Sequence, residues 1–558
     1  MRKITIAFSL AVLCFGQQPS YDLVITGGRI VDGSGNNWFY GDLAVSGDRI
    51  ARITPPGMLR DTQARRRIDA ANLVVAPGFI DIQGWSLDPL LSGDSRVISH
   101  VAQGITTEIM GEGWTPAPSN KRTRVGMVSL GRPATEDTRF DGDHGFDTWL
   151  RTIEQRGASL NFGSFVGAAS VRQYVMGMEQ GAASASQIEE MKALIRNGMV
   201  DGAFGLSSAL IYPPGEYAST HELSEISKVM SPFGGVYITH MRSQADRLLE
   251  AIDEALTIGR EGGVPVEIYH LKAGGQRNWS KMPQAIAKIE NARKEGQDVG
   301  ADMYPYAASS TGLTACLPPW TSAGGKLFEN LADPTIRTRI KAEMAQADTP
   351  WENFCQLLGP ENVLVLELQQ PANQKFRGKR LSEIAATQSK DWRDAVLDLL
   401  LFERTRVMTI YFMMSEENLA LQLRQPWIKI GTDSPGLNPE NAQQLAHPRA
   451  YGTFPRVLGE FVREKHVIPL EEAIRKMTSA TARRLSLRDR GLLQPGLFAD
   501  IVIFDPATIA DVATYEKPHQ IAAGIQYVLV NGTVVMRDGQ HTGAKPGRAV
   551  RGPGYVSL

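Results

Sequence analysis

The sequence is short of the features that most quickly decide a function. It has three cysteines in 558 residues, Cys14, Cys316 and Cys355. That excludes a cysteine-rich metal cluster, so any metal must sit on histidine and carboxylate. An excess of charge is missing too: 59 Lys+Arg face 60 Asp+Glu. Neither nucleic acid nor an anionic membrane surface is expected as a partner. Beyond the first residues there is no apolar run long enough for a membrane span. No dinucleotide-type glycine fingerprint follows the first strand of the central region. The stretch "VVAPGFIDIQGWSLD", residues 74–88, lacks something more specific. Its apolar strand ends in Asp81, a natural place for two metal-binding histidines two residues apart, and carries Gln83 and Trp85 instead.

What is present reads as a globular protein, with 42% apolar and 21% charged residues. The length allows one large domain and a smaller one. Arg2 and Lys3 precede an apolar run from Ile4 to Phe15, and Cys14 and Gly16 supply small residues before Gln17. This is the pattern of a secretory signal peptide over 1–16, and it implies a periplasmic or secreted protein. A buried N-terminal strand is the competing reading. Leu13 before Cys14 is a poor match to a lipoprotein signal. Cys316 and Cys355 can form one disulfide, but spacing alone does not show that they meet.

The two chain ends look alike. "YDLVITGGRIVDGSG" and "GDLAVSGDRIARI" alternate apolar and polar residues around glycine turns. "ADIVIFDP" and "QYVLVNGTVVMRDGQ" do the same, with Asn531-Gly532 as a hairpin turn. Residues 17–76 and 489–558 are expected to pair into one small β-sandwich domain, with 77–488 inserted between them. That middle region alternates short apolar strands with amphipathic helices such as "ADRLLEAIDEALTIGREGG", which stops at Gly262-Gly263. Strands are expected near 76–83, 105–111, 161–167, 203–208, 235–240, 265–270, 299–304 and 428–433. The repeated β-then-α order means a parallel sheet, and the strand count favours a closed (β/α)8 TIM barrel over an open doubly wound sheet. The stretches 117–145 and 312–425 are too long for simple connections and read as insertions at the barrel rim.

In such a barrel the C-terminal strand ends build the active site. The polar residues there are Glu112 after strand two, His240 after strand five, His270 and Lys272 after strand six, Tyr304 and Tyr306 after strand seven, and Asp433 after strand eight. Two imidazoles and a carboxylate suit zinc with one position open for water. Bound zinc acidifies that water and polarises a carbonyl. Asp433 is placed to take the proton and pass it to a leaving amine. Each residue also has an ordinary reading. A lone strand-end histidine is often a satisfied polar group, Glu112 between glycines suits a turn, and Asp433 suits a helix N-cap. Two histidines at the same place on consecutive strands favour the metal. His221 and His447 lie among charged and small residues and read as surface or supporting groups.

"VVAPGFIDI", "FGLSSALIYPPGEYAST", "GGVYITHMRSQADRLLEAIDEAL", "VPVEIYHLKAGGQRNW", "DMYPYAASSTGL", "HPRAYGTFPRVLGEFV" and "GLLQPGLFADIVIFDP" occur in that order across most of the chain. Together they resemble the amidohydrolase superfamily, and within it the N-acyl-D-amino-acid deacylases. The resemblance implies hydrolysis of the amide of an N-acyl-D-amino acid. It makes His240 and His270 zinc ligands and Asp433 the catalytic acid/base, and it puts Glu112, as the third zinc ligand, where the family commonly has a cysteine. Lys272, Tyr304, Ser310 and Arg449 match residues that hold the substrate carboxylate, the kind of group that an ammonium, a guanidinium and hydroxyls recognise. Lys272 and Arg449 also suit rim salt bridges, and Tyr306 is the alternative to Tyr304. The chain departs from the family where His-x-His would end the first strand. An indole offers only a donor, and a glutamine is a poor ligand. One zinc per chain is therefore expected, with Gln83 and Trp85 touching substrate or Asp433 or filling space. A dipeptidase, a cyclic-amide hydrolase and an inactive ligand-binding homologue are the alternatives.

Overall fold

The computed structural model describes residues 20–129 and 137–557. The expected leader at 1–16 and residues 130–136 of the first expected insertion lie outside the described residues. Eight strands form the barrel: β1 Phe79–Asp81, β2 Ile105–Met110, β3 Asn161–Ser164, β4 Gly205–Ala209, β5 Val236–His240, β6 Val266–Ile268, β7 Val299–Met303 and β8 Ile428–Ile430. Neighbours run parallel from β1 to β3 and from β4 to β8. After Phe165 the third strand resumes as Val166–Gly167, which pairs with β4. The seam between β8 and β1 is closed just beyond the strands, by a parallel bridge from Gly84 to Ser434. There the Trp85 amide donates to the Ser434 carbonyl at 3.0 Å, and the Asp433 amide to the Gln83 carbonyl at 2.8 Å. The two residues that replace the missing histidines thus sit on the closing stitch of the barrel.

Every residue of β5, β6 and β7 is buried. Helices cover a parallel barrel from outside, so its strands are buried on both faces, and the charged Glu267 and Asp302 in β6 and β7 are buried with them. The helix Leu248–Gly262 buries Leu248, Ala251, Ile252, Ala255 and Leu256 against the strands, and stops at Gly263 in the left-handed conformation with φ 64°. No helix among the described residues is long and apolar enough to cross a membrane.

The chain ends join in a second sheet. Ile501–Phe504 pairs antiparallel with Val74–Pro77, and Val74–Val75 lies parallel to the end of Tyr21–Ile30. The hairpin Ile525–Val530 to Thr533–Arg537 turns through Asn531 and Gly532, both at positive φ, as such two-residue turns require. Leu43, Val45 and Ile50 from the N-terminal wing share one core with Ile501, Ile503 and Leu529 from the C-terminal wing.

Two expectations need correction. The run expected as one barrel strand near 76–83 serves two sheets: Val74–Pro77 belongs to the end domain and only Phe79–Asp81 to the barrel. The chain changes sheets at Gly78, where a Cβ would lie 2.2 Å from the Thr106 hydroxyl. The stretch expected as an insertion at 312–425 begins earlier, with the strand Ala308–Gly312. That strand and Val363–Val365 flank Met408–Phe412 in a three-stranded antiparallel sheet. Helices pack on it around a core that includes Leu331, Phe354, Val396 and Leu400. Cys316 and Cys355 are disulfide-bonded within this core.

The bridge ties the turn after Ala308–Gly312 to the helix Phe354–Leu358 across a sequence separation of 39. Cys316→Ser is expected to destabilise the insertion by about 2–4 kcal/mol, the usual range for opening such a loop. Thermal melting followed by circular dichroism tests this, and a variant that melts with the wild type means that the bridge contributes nothing.

Candidate metal centre and active site

The strand ends converge on a cavity of about 630 Å³, within the range of small-molecule sites. Glu112 follows β2 between Gly111 and Gly113, at φ 109° and 71°. A Cβ at Gly111 would meet the Phe165 carbonyl at 2.6 Å, and one at Gly113 the Ala209 side chain at 2.8 Å. Only glycine allows this tight turn, which drives the Glu112 carboxylate inward. His240 ends β5. His270 and Asp433 stand just past β6 and β8 at φ 34° and 48°. Non-glycine residues there cost on the order of 1–3 kcal/mol and concentrate at functional sites. The His270 turn is held by its amide, which donates to Asp302 Oδ1 at 2.8 Å.

Glu112 Oε1 lies 2.9 Å from His240 Nδ1 and 3.4 Å from His270 Nε2. Donor atoms from these three buried residues lie within 4.8 Å of one another. Burial alone would raise the Glu112 carboxyl, but His270 and His240 beside it outweigh burial and hold it well below its usual range. Burial lowers His240, and burial followed by the nearby Lys272 charge lowers His270 to about 4. The three groups are therefore an anion and two neutral imidazoles near neutral pH, the protonation states that bind metal. One carboxylate oxygen and two imidazole nitrogens form a donor set that fits a divalent ion.

Asp433 stands beside this group, its Oδ2 4.0 Å from His270 Nε2 and 2.8 Å from Arg449 Nη1. Its other oxygen accepts the Trp85 indole N–H at 3.0 Å. Burial pushes the Asp433 carboxyl up, against the pull of Arg449. Gln83 donates from Nε2 to Glu112 Oε2 at 2.5 Å. Of the uses considered for these two residues, Trp85 touches Asp433, and Gln83 touches Glu112, a contact that the sequence did not suggest.

Lys272, Tyr304, Ser310 and Arg449 all line the cavity. Lys272 is buried without a carboxylate partner, and burial lowers it to about 8. Its Nζ lies 5.5 Å from the Tyr304 ring centroid, and the Arg449 guanidinium 4.6 Å from the same centroid. Neither cation is a rim salt bridge. Among the described residues the buried Tyr304 hydroxyl has no hydrogen-bond partner. Tyr306, the alternative, points away and donates to Asp511 Oδ2 at 2.9 Å. Ser310 offers its backbone carbonyl to Arg449 Nη2 at 3.2 Å. His447 is buried rather than superficial: its Nδ1 accepts the Arg449 amide at 3.0 Å, and its Nε2 faces the Ala308 carbonyl at 3.0 Å. His221 is exposed.

Sequence reading missed Gln244, Tyr212, Glu367 and Arg406, all in the cavity wall. Gln244 follows β5 by four residues, so a scan of the whole strand-end loop would have found it. Tyr212 packs edge-on to His240 at 5.5 Å between centroids, with the Arg406 guanidinium 5.1 Å from its own ring. Arg406 comes from the insertion and carries no local signal.

The comparisons agree with this geometry. The model of the Amidohydrolase family matches residues 405–536. A D-aminoacylase from Alcaligenes xylosoxydans xylosoxydans is 37% identical over 96% of this chain and 98% of its own length. An N-acyl-D-glutamate deacylase from the same organism is 32% identical over 96% of this chain and 97% of its own. Among solved structures, an N-acyl-D-glutamate deacylase from Bordetella bronchiseptica, complexed with zinc and a phosphonate mimic of the tetrahedral intermediate, superposes with a TM-score of 0.78. It is 31% identical, covering 96% of this chain and all of that one. Likeness at this level along nearly the whole chain, on a barrel that brings a glutamate, two histidines and an aspartate to one mouth, is shared ancestry: the chain belongs to the D-aminoacylase family of amidohydrolases.

Proposed function

We propose that the protein hydrolyses the amide of N-acyl-D-amino acids with a single zinc held by Glu112, His240 and His270. The observation that carries this reading is the meeting of those three donors with Asp433 inside one cavity that also holds Lys272 and Arg449. Bound zinc acidifies water and polarises the amide carbonyl. Asp433 takes a proton at Oδ2 and hands it to the leaving nitrogen. The Trp85 indole fixes the other oxygen, so the carboxylate presents one edge to the reaction. Lys272, Arg449 and the free Tyr304 hydroxyl surround a place for the substrate carboxylate, with Ser310 beside them. Charge-assisted bonds of this kind fix orientation as well as affinity. Gln83 and Trp85 occupy the positions of the family's first-strand histidines, and their donors already satisfy Glu112 and Asp433. That favours one metal over two.

The signal-peptide pattern and the buried disulfide support a periplasmic or secreted location, since such bridges persist in oxidising compartments. Mass spectrometry of exported protein is expected to place the N-terminus at Gln17; an intact Met1 would overturn the export reading.

Metal analysis of the purified protein is expected to give one zinc per chain. Chelation should abolish hydrolysis of N-acetyl-D-amino acids, and zinc should restore it. His240→Ala should hold no zinc, and the Gln83→His/Trp85→His double variant should approach two. A wild type that binds two zinc ions would show that Gln83 and Trp85 do not close the second position. Turnover of dipeptides or cyclic amides in place of acylated amino acids would reassign the substrate.

Asp433→Asn is expected to keep its zinc while kcat falls roughly 10²-fold or more, the scale of general-base loss. Near-normal turnover would mean that another group moves the proton.

A further inference from the structure

Gln244 is buried, and its side-chain amide bridges two groups with different tasks. Lys272 Nζ lies 2.8 Å from Oε1, and Nε2 lies 2.9 Å from His270 Nδ1. The chemistry of lysine fixes which end is which. An ammonium can only donate, so the oxygen faces Lys272 and the NH2 group faces His270. His270 Nδ1 must then accept, which places the imidazole proton on Nε2, the atom facing Glu112 Oε1 at 3.4 Å. A histidine that ligates a metal through Nε2 has the opposite requirement. Its proton sits on Nδ1 and needs an acceptor, the usual supporting contact of a metal-bound histidine. Among the described residues, the hydrogen-bond partner of His270 Nδ1 is the Gln244 amide.

We propose that Gln244 is a switching residue whose amide turns over when His270 becomes a metal ligand, trading its bond from Lys272 for one from His270 Nδ1 and releasing the Lys272 ammonium toward the substrate carboxylate. The inference rests on the reading of His270 as a zinc ligand and Lys272 as a carboxylate holder. The motion is confined to the side-chain amide. The Gln244 backbone is clamped, its amide donating to Glu352 Oε1 and its carbonyl accepting from Gly274 at 2.7 Å. The further contact of Nε2, to the Tyr269 carbonyl, is long at 3.4 Å, so the bond from Lys272 is the main one that turning the amide gives up. After the turn an NH2 group faces Lys272, and two donors do not bond. Lys272 already lies over the Tyr304 ring that Arg449 also touches, so leaving Gln244 brings two cations to bear on one carboxylate position. Metal loading and substrate capture are thereby coupled through a single neutral side chain.

The test uses the full chain with two variants, Gln244→Met and Gln244→Glu. Zinc affinity is measured by competition with a chromogenic chelator, and kinetics with an N-acetyl-D-amino acid at saturating zinc. Gln244→Met keeps the volume and removes the acceptor, so zinc affinity should fall about 10–100-fold, the scale of losing a supporting contact to a metal ligand. Gln244→Glu accepts from His270 and Lys272 together. Its zinc affinity should be at least that of the wild type, while KM rises about tenfold at nearly unchanged kcat, because Lys272 stays held by a charge-assisted bond. Zinc affinity of the Met variant within about threefold of wild type, well short of that contact's usual worth, overturns the proposal. So does a Glu variant with wild-type KM or weakened zinc binding, and that arm decides alone if the Met variant does not fold. Zinc binding needs no substrate, so an enzyme that turns over no N-acyl-D-amino acid fails the functional reading and leaves the affinity arm to judge Gln244.

Discussion

The mouth of the barrel is organised around one buried anion. Glu112 is 3% exposed, and its ion-pair contacts among the described residues are with histidines, not with lysine or arginine. A lone carboxylate in that position would take up a proton rather than stay charged. It remains an anion because donors reach it from three other places: Gln83 after β1, His240 at the end of β5 and His270 after β6. The ends of four strands are therefore tied to one group. A cluster that needs positive charge to balance a buried anion and that offers two neutral imidazoles is a cation site by its electrostatics as well as by its ligand types.

Much of the scaffold was legible in the sequence because it rests on local pattern. β5 and β6 are short buried strands ending in a histidine or shortly before one, and the amphipathic helix after β5 announces its crossover. The pairing of the two chain ends followed from their shared turn chemistry. What failed was the single strand expected near 76–83. Up to Ile80 its residues are apolar or glycine and equally suited to either sheet. The division at Gly78 is decided by the approach of Thr106 on β2, a tertiary contact that no window of sequence contains. The insertion's own sheet escaped notice for a related reason. Val363–Val365 has three residues, and its partner Met408–Phe412 lies beyond two helices.

At the site, residues with distinctive chemistry at strand ends could be picked out, and their partners could not. Trp85 meets Asp433 across 348 residues of sequence, and only closure of β8 onto β1 brings them together. Glutamine is even less informative. Gln83 and Gln244 look alike on paper, yet one supports an anion and the other bridges a histidine and a lysine. Neither role has a pattern, because each depends on which charged neighbour the fold supplies.

The indole beyond the first strand also bears on the proton affinity of Asp433. A carboxylate that is also ligated by a cation has its negative charge stabilised and gives up affinity for a proton. In this chain Trp85 supplies a neutral donor to one oxygen, and Arg449 is the strong cation near the other. The net effect of burial and these partners is a carboxyl raised above its usual range. A group that must take a proton from water and then release it to an amine works best when its affinity lies between the two. An uncharged indole donor leaves Asp433 with more affinity for a proton than a cation at the same oxygen would.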